Sequence, residues 1–340
     1  MVEGDRSRAA VLAIDGGNSK TAVALVAEDG TLLSSVVGPG ASHEAYGIEG
    51  AMRRLGEMVA EAAARAGLAG DGPVARHTSS CLAGADLPEE EEQLTAALDR
   101  QGWSRTSVAV NDTFAVLRAG LSPDPAQRAW GIGVTCGAGM NCVGVAPDGR
   151  TTRFLALGET TGDWGGGIGI GNEVMWWSMR AEDGRGRQTA LLPATAAFFG
   201  MPTVRDVAIA LHKGELGHDE LLKLTTVLFQ VAATGDPVAM DLVERLAEEV
   251  VTMAATAMRR LGLIGAGAPV VLGGGLLTAR DPLLTAAIER RLARVDPSAV
   301  PVIVEVPPLT GAALLGLDFL GVGSEAELRL RASTRLGVAC

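Results

Sequence analysis

The sequence predicts an α/β protein of two similar lobes, and three observations carry that prediction. Apolar runs of strand length alternate with stretches of helical periodicity along the chain. A strand, glycine turn, strand, Asp-Gly turn, strand layout opens the chain at Val11 to Val37 and recurs from Ile132 to Leu155, about 120 residues later. The 340 residues include 45 glycines and only 4% aromatics, which suits a compact core with many tight backbone approaches. Such a duplication implies two domains facing a shared cleft, each presenting one glycine turn to it.

A chain of this length can bury about 75% of its unfolded surface, so two cores are within reach. The net charge of −11 repels nucleic-acid phosphates in the absence of a basic stripe, and no nucleic-acid partner is expected. None of the four cysteines, Cys81, Cys136, Cys142 and Cys340, forms a CxxC pair, so they read as reduced thiols. Met1 to Ile14 holds no apolar segment of signal-peptide length and no run approaches a membrane span, so a soluble, cytoplasmic protein without a membrane partner is expected.

Val11 to Ile14 reads as the first strand and Ala22 to Val26 as the second, joined by Asp15, Gly16, Gly17, Asn18, Ser19, Lys20 and Thr21. Gly16 and Gly17 permit positive φ and close approach of a ligand. Successive backbone N–H groups there would form a cradle for a phosphate, with donors from Ser19, Lys20 and Thr21 on its rim. A carboxylate beside a phosphate repels it unless a cation lies between them, so Asp15 points to Mg²⁺. Taken alone, the segment is equally readable as a glycine hairpin with a solvated lysine. Thr31 to Val37 is the third strand, and Gly38 to Tyr46 is too rich in turn residues for regular structure, a candidate binding loop with Ser42 and His43 at its tip. A helix follows from about Ile48 to Ala66, then a buried strand at His77 to Ala83 and a helix from Pro88 to Arg100 whose Glu89 to Glu92 run reads as a solvated first turn. Strand Ser107 to Val110 delivers Asn111, Asp112 and Thr113 to its C-terminal end, where ligands of α/β sheets collect. The alternative for Asp112 is that it caps the helix Phe114 to Ala119.

The pattern restarts with strand Ile132 to Thr135, the turn Cys136, Gly137, Ala138, Gly139, and strands Asn141 to Val145 and Thr151 to Leu155. Gly158 to Gly171 is a glycine-dense loop around Asp163, ahead of a helix at about Asn172 to Met179, and its entropic cost favours a functional role. Ala190 to Leu263 is helical, with breaks at Gly200 to Pro202 and Thr234 to Pro237. Strand Pro269 to Leu272 runs into Gly273, Gly274 and Gly275, where a flat ring could lie on bare backbone. Helix Leu283 to Leu292, strand Val302 to Val306 and helix Thr310 to Leu320 complete the chain.

In order and at these spacings, the motifs resemble the actin-like sugar-kinase and ATPase superfamily, and within it the BadF/BadG/BcrA/BcrD group that includes N-acetylglucosamine kinases. Ile14 to Thr21 resembles its first phosphate motif, Asn111 to Gly120 (NDTFAVLRAG) the segment with the catalytic aspartate, and Cys136 to Asn141 the second phosphate motif. Val271 to Leu276 resembles the adenosine motif and Pro308 to Leu315 (PLTGAALL) the closing segment. The resemblance implies two actin-like, ribonuclease H-like domains with a duplicated βββαβαβα core and an ATP cleft between them. One would span residues 1–122 and the other 123–340, with a helical insert at 172–263, the last helix packed back on the first lobe, and a hinge over Gly120 to Ala129.

The same resemblance implies roles for individual residues. Asp112 would take the proton from a sugar hydroxyl, and Ser19 would touch the phosphates with Gly16, Gly17, Gly137, Ala138 and Gly139 around them. Ser42, His43, Asn111, Gly158 and Asp163 would hold the sugar, Ala232 would pass near the adenine with Gly273, Gly274 and Gly275, and Asp15 would hold Mg²⁺. The loop Cys81 to Glu90 (CLAGADLPEE) resembles the segment that closes over the substrate. ATP and Mg²⁺ are the expected cofactors, an N-acetylglucosamine-like amino sugar the expected acceptor, and a homodimer the expected assembly. The chain departs from the family at Ala138 and Met140, which replace two hydroxyl residues, and at Trp164, where a Glu is common. Two other functions share the fold: an ATPase that couples hydrolysis to a partner protein, and a sugar-binding regulator without catalysis.

Overall fold

A computed structural model describes residues 8–70, 72–124 and 129–335. In chain order the elements are β1 (Ala9–Gly16), β2 (Lys20–Val26), β3 (Leu32–Pro39), α1 (His43–Arg65), β4 (Ala75–Leu82), α2 (Pro88–Gln101), β5 (Ser104–Asn111) and α3 (Asp112–Gly120). There follow β6 (Gly131–Cys136), β7 (Met140–Val145), β8 (Thr151–Arg153), α4 (Gly166–Glu182), α5 (Leu191–Phe198), α6 (Val204–Lys213), α7 (Leu224–Ala232) and α8 (Pro237–Leu261). The chain closes with β9 (Pro269–Gly273), α9 (Gly275–Thr278), α10 (Pro282–Val295), β10 (Val300–Ile303), α11 (Pro308–Phe319) and α12 (Ser324–Arg335). One five-stranded sheet runs β3-β2-β1-β4-β5 and the other β8-β7-β6-β9-β10, the same order of corresponding strands.

By compactness the chain divides into two units. The first takes the described residues up to Gly133, then Val145–Leu155 and the chain from Val304 on; the second takes Val134–Gly144 and Ala156–Ile303. The expected hinge over Gly120 to Ala129 includes residues 125–128, which lie outside the described residues, as does Cys340.

In the first unit β1 is the central strand, antiparallel to β2 and parallel to β4. Side chains alternate across its pleat. Leu12 and Ile14 pack with Met52, Leu55 and Val59 of α1 and Leu94 and Leu98 of α2, while Val11 and Ala13 pack with Leu309, Ala313 and Leu317 of α11. A strand buried on both faces must be apolar throughout, which is why the run Ala9 to Ile14 lacks a polar residue. The α11–α3 crossing needs a glycine, because a side chain at Gly311 would collide with the Ala115 carbonyl. In the second unit α4 to α8 pack on one another and α10 packs on α8, which alone spans 25 residues.

Several elements differ from expectation. The expected loop Gly38 to Tyr46 is mostly regular: β3 runs to Pro39 and α1 starts at His43, with Gly47 (φ +67°) absorbing a kink that lets the turn-rich sequence enter the helix. The expected glycine loop ending at Gly171 is half helix, since α4 begins at Gly166. Those glycines serve packing: a side chain at Gly171 would collide with the Leu221 carbonyl and one at Gly167 would lie 2.6 Å from Leu222. Gly16 and Gly17 do not adopt positive φ. They are small because a Cβ on Gly16 would lie 2.5 Å from Leu82 and one on Gly17 would lie 2.8 Å from the Lys20 carbonyl. Glu89 to Glu92 is not simply a solvated turn, because Glu90 and Glu91 turn inward to receive N–H groups of the loop and of β5.

Candidate functional site

In the first unit the turn after β1 and the start of α3 bring two carboxylates together. Register sets Asp15 beside Cys81 of β4, two residues before the turn proper, and Asp112 follows the last residue of β5. Burial raises the Asp15 carboxyl to about 7; the Asp112 carboxylate nearby adds to that rise and Lys20 opposes it. Burial also raises Asp112, to about 6, against hydrogen bonds from Thr113 that favour its charged form. Asn18, Ser19 and Lys20 are exposed at the turn. Thr21 is fully buried, and its Oγ1 accepts the Ala41 N–H at 3.0 Å, so it anchors the turn from behind.

The cap of α3 is Asn111, whose Oδ1 accepts the Thr113 N–H at 2.9 Å. That frees Asp112 from the capping role that sequence alone allowed it. Asn111 is held firmly: its Nδ2 donates to Asp86 Oδ1 at 2.8 Å and its N–H donates to Glu91 Oε1 at 3.0 Å. Arg153 completes the frame, donating to Glu91 Oε2 at 2.8 Å and to the carbonyls of Ala85 and Asp86. Asp86 is raised to about 7, by burial first and then by Asp112, Glu44 and Glu90. Sequence reasoning missed Asp86, Glu91 and Arg153 because their relation to Asn111 exists only once β4, β5 and β8 are in place. Ser42 caps α1, its Oγ accepting the Glu44 N–H at 3.2 Å, and its O–H is left to donate. Beside it, His43 Nδ1 is buried without a hydrogen-bond partner, an atom a bound polar ligand would satisfy.

In the second unit the β6–β7 turn leaves Ala138 and Gly139 exposed. The carbonyls of Gly137 and Ala138 accept N–H groups of Gly167 and Ile168 at 2.8 and 3.0 Å, which fastens the turn to the first turn of α4. Asp163 Oδ2 accepts the Thr161 hydroxyl at 2.6 Å, and its N–H bonds the Gly158 carbonyl at 3.1 Å. Gly139, Gly158, Asp163, Trp164 and Trp176 border one cavity of about 900 Å³. After β9, Gly274 sits at φ +82° and a side chain there would collide with the backbone of Cys136, whereas space beside Gly275 is open. Gly273 is buried at the strand end, and Ala232, the last residue of α7, is 1% exposed, its surface taken up by packing. The buried thiols of Cys136 and Cys142 are both raised by burial, Cys136 to about 12.

Two sheets of one strand order, each with a glycine turn after its first strand, and an acid pair at the strand ends of the first define a duplicated α/β protein. The chain belongs to the BadF/BadG/BcrA/BcrD ATPase family, whose profile matches residues 12–316. It is 24% identical over 269 residues to an N-acetylmuramic acid/N-acetylglucosamine kinase of Clostridium acetobutylicum, covering 78% of this chain and 85% of the relative. It is 22% identical to an N-acetyl-D-glucosamine kinase of Dictyostelium discoideum over 92% of this chain and 99% of the relative. Its fold is that of a proposed N-acetylglucosamine kinase from Chromobacterium violaceum, with a TM-score of 0.71 and 22% identity over 91% of this chain and 99% of the other.

Proposed function

We propose that this chain is an ATP-dependent kinase that transfers the γ-phosphoryl group to a hydroxyl of an amino sugar of the N-acetylglucosamine kind. The observation that carries the reading is the division of labour at α3: Asn111 caps the helix, and Asp112 stays beside Asp15 with a carboxyl raised to about 6. Membership of an ATPase family and the names of two relatives support it. Asp112 is the general base that accepts the proton of the attacking hydroxyl, since a base poised near working pH transfers protons best. Ser42, His43, Asn111, Gly158 and Asp163 orient the acceptor. Asn18 and Ser19 of the first glycine turn and Ala138 and Gly139 of the second, all exposed, are the proposed backbone donors to phosphate, while the Gly17 and Gly137 N–H groups close their own turns, and Gly275 offers bare backbone to the base.

Asp15 fits Mg²⁺: it is a hard oxygen donor next to a second carboxylate that raises it, the charge a divalent cation relieves. When bound, Mg²⁺ neutralises charge on the transferring phosphates. A homodimer is the proposed assembly, checked by light scattering. Among the described residues no helix is long and apolar enough to cross a membrane, and a cytoplasmic location is part of the same proposal.

A panel of amino sugars and hexoses with ATP and Mg²⁺ tests the function. Phosphorylation of an N-acetylated amino sugar well above the hexoses is expected. ATP hydrolysis indifferent to every sugar would instead favour coupling to a partner protein.

A further inference from the structure

The cavity of the second unit borders the Ala138–Gly139 turn, which the kinase reading gives to phosphate, and also Gly158, Asp163 and a group of tryptophans. Its volume of about 900 Å³ lies near the top of the ~300–1,000 Å³ range of small-molecule sites. Besides Gly158 and Asp163, it is bordered by Trp164, Trp176 and Trp177, three of the five tryptophans in the chain. Trp164 is fixed, donating its Nε1–H to Glu173 at 3.1 Å under the Arg245 guanidinium, 3.9 Å from the ring centre. Trp176 keeps 48% of its surface exposed. The Arg180 guanidinium lies over this indole, 4.4 Å from the ring centre, and the exposed remainder borders the cavity as a flat apolar surface of the kind that stacks on another ring.

Away from the Ala138–Gly139 turn, the charged side chains on the lining disfavour an acidic substituent on the sugar. Arg245 hydrogen-bonds Glu173 at 3.2 Å and Arg187 pairs with Asp241 at 2.6 Å, so both cations are already matched. Glu159 and Asp163 remain as surplus negative charge. A carboxylate substituent on the sugar would be repelled by these side chains, and an uncharged ring would not.

We infer that the acceptor is longer than a monosaccharide: an amino sugar joined to a second, uncharged sugar ring, with the second ring stacked on Trp176. The inference rests on the kinase reading for the place of the first ring at Gly158 and Asp163, and it names the substrate class of that site. The second ring contributes binding and no chemistry, so it lowers KM and leaves kcat in the same range.

The test compares N-acetylglucosamine with its β-1,4-linked dimer, both as phosphoryl acceptors and, without ATP, as ligands followed by tryptophan fluorescence. The dimer is expected to show a KM and a dissociation constant about 2- to 10-fold lower, the gain of one aromatic stacking contact. Trp176→Ala should abolish the difference between the two sugars and Trp176→Phe should keep most of it. If the monosaccharide is phosphorylated and the dimer binds no better, the inference falls and the kinase reading stands. If neither is phosphorylated but the dimer binds more tightly in a Trp176-dependent manner, the kinase reading falls and the cavity assignment stands. Tighter binding of N-acetylmuramic acid than of the dimer would also overturn it, because its carboxylate should be repelled.

Discussion

Replacing one carboxylate oxygen of Asp112 with an amide nitrogen leaves shape and helix capping intact, because Asn111 supplies the cap. Asp112→Asn is therefore expected to lower kcat roughly 10²- to 10⁴-fold with little change in sugar affinity. A folded Asp112→Asn protein with near wild-type kcat would remove Asp112 from the mechanism. In the wild type, kcat/KM should fall as pH drops through about 6, where Asp112 gains its proton. Stability runs the other way. The folded-state values of Asp15, Asp112 and Asp86 lie above the usual 3.8, so the stability these groups contribute is fully present below about pH 3.8 and is lost as pH rises through about 6 to 7. Thermal melts of Asp112→Asn at pH 8 should thus lie above wild type, with the advantage shrinking toward pH 4. At the adenosine motif, Gly275→Leu should weaken ATP binding while leaving the melting temperature near wild type, whereas Gly274→Leu should unfold the β9–β6 junction, because Gly274 alone has φ +82° and the Cys136 backbone against it. Equal melting temperatures for the two variants would contradict that division.

Among the elements, α3 is tied to α11 and α12 by a buried ion network. Arg118, 3% exposed, donates to Asp318 at 2.7 Å and to Glu327 at 2.8 and 2.6 Å. Arg331 donates to Glu327 at 2.8 Å and to the carbonyls of Ala119 and Leu121 at the end of α3. Removing one partner of such a network strands the others, so Glu327→Ala should destabilise the protein by about 3–5 kcal/mol in chemical denaturation. A loss below about 1 kcal/mol would mean the network is not needed. The local signals for α12 are short, a Ser324–Glu327 capping-box spacing and the apolar pair Ala326 and Leu330 four residues apart, and what fixes the helix in place is Glu327 and Arg331 meeting residues about 200 positions earlier. The strands and long helices were legible because burial on one or two faces leaves a period in the sequence, as in β1 and α8. Asp15, Gly16 to Lys20 and Asn111–Asp112 were legible because a glycine turn and a strand-to-helix junction are local. Asp86, Glu91 and Arg153 were not, since each matters through a partner on another element. The glycines of α4 misled for a related reason, as packing against Leu221 and Leu222 overrides helix propensity.

The whole molecule repeats one five-stranded order, and the copies diverge in what covers them. The first sheet is covered on one face by α11, and that face holds a titrating group. His77 of β4 is 1% exposed, stacks on Phe319 with centroids 4.0 Å apart, and bonds Thr106 Oγ1 at 2.9 Å through Nδ1. Burial lowers it to about 4, so the stability it contributes is present above about pH 6.5 and is lost as pH falls from there toward 4. His77→Phe should flatten that acid-side loss in melts between pH 7.5 and 4.5, and an unchanged slope would show that His77 does not titrate with unfolding. The placement of α11 also orders events on the ribosome. Val134–Gly144 and Ala156–Ile303 all precede Val304 in the chain, so the residues of the second unit are made before α11, while Val11 and Ala13 wait for Leu309, Ala313 and Leu317. A nascent chain of this protein therefore carries the uncovered face of its first sheet until α11 has been made and released, an apolar surface open to a holding chaperone in the meantime.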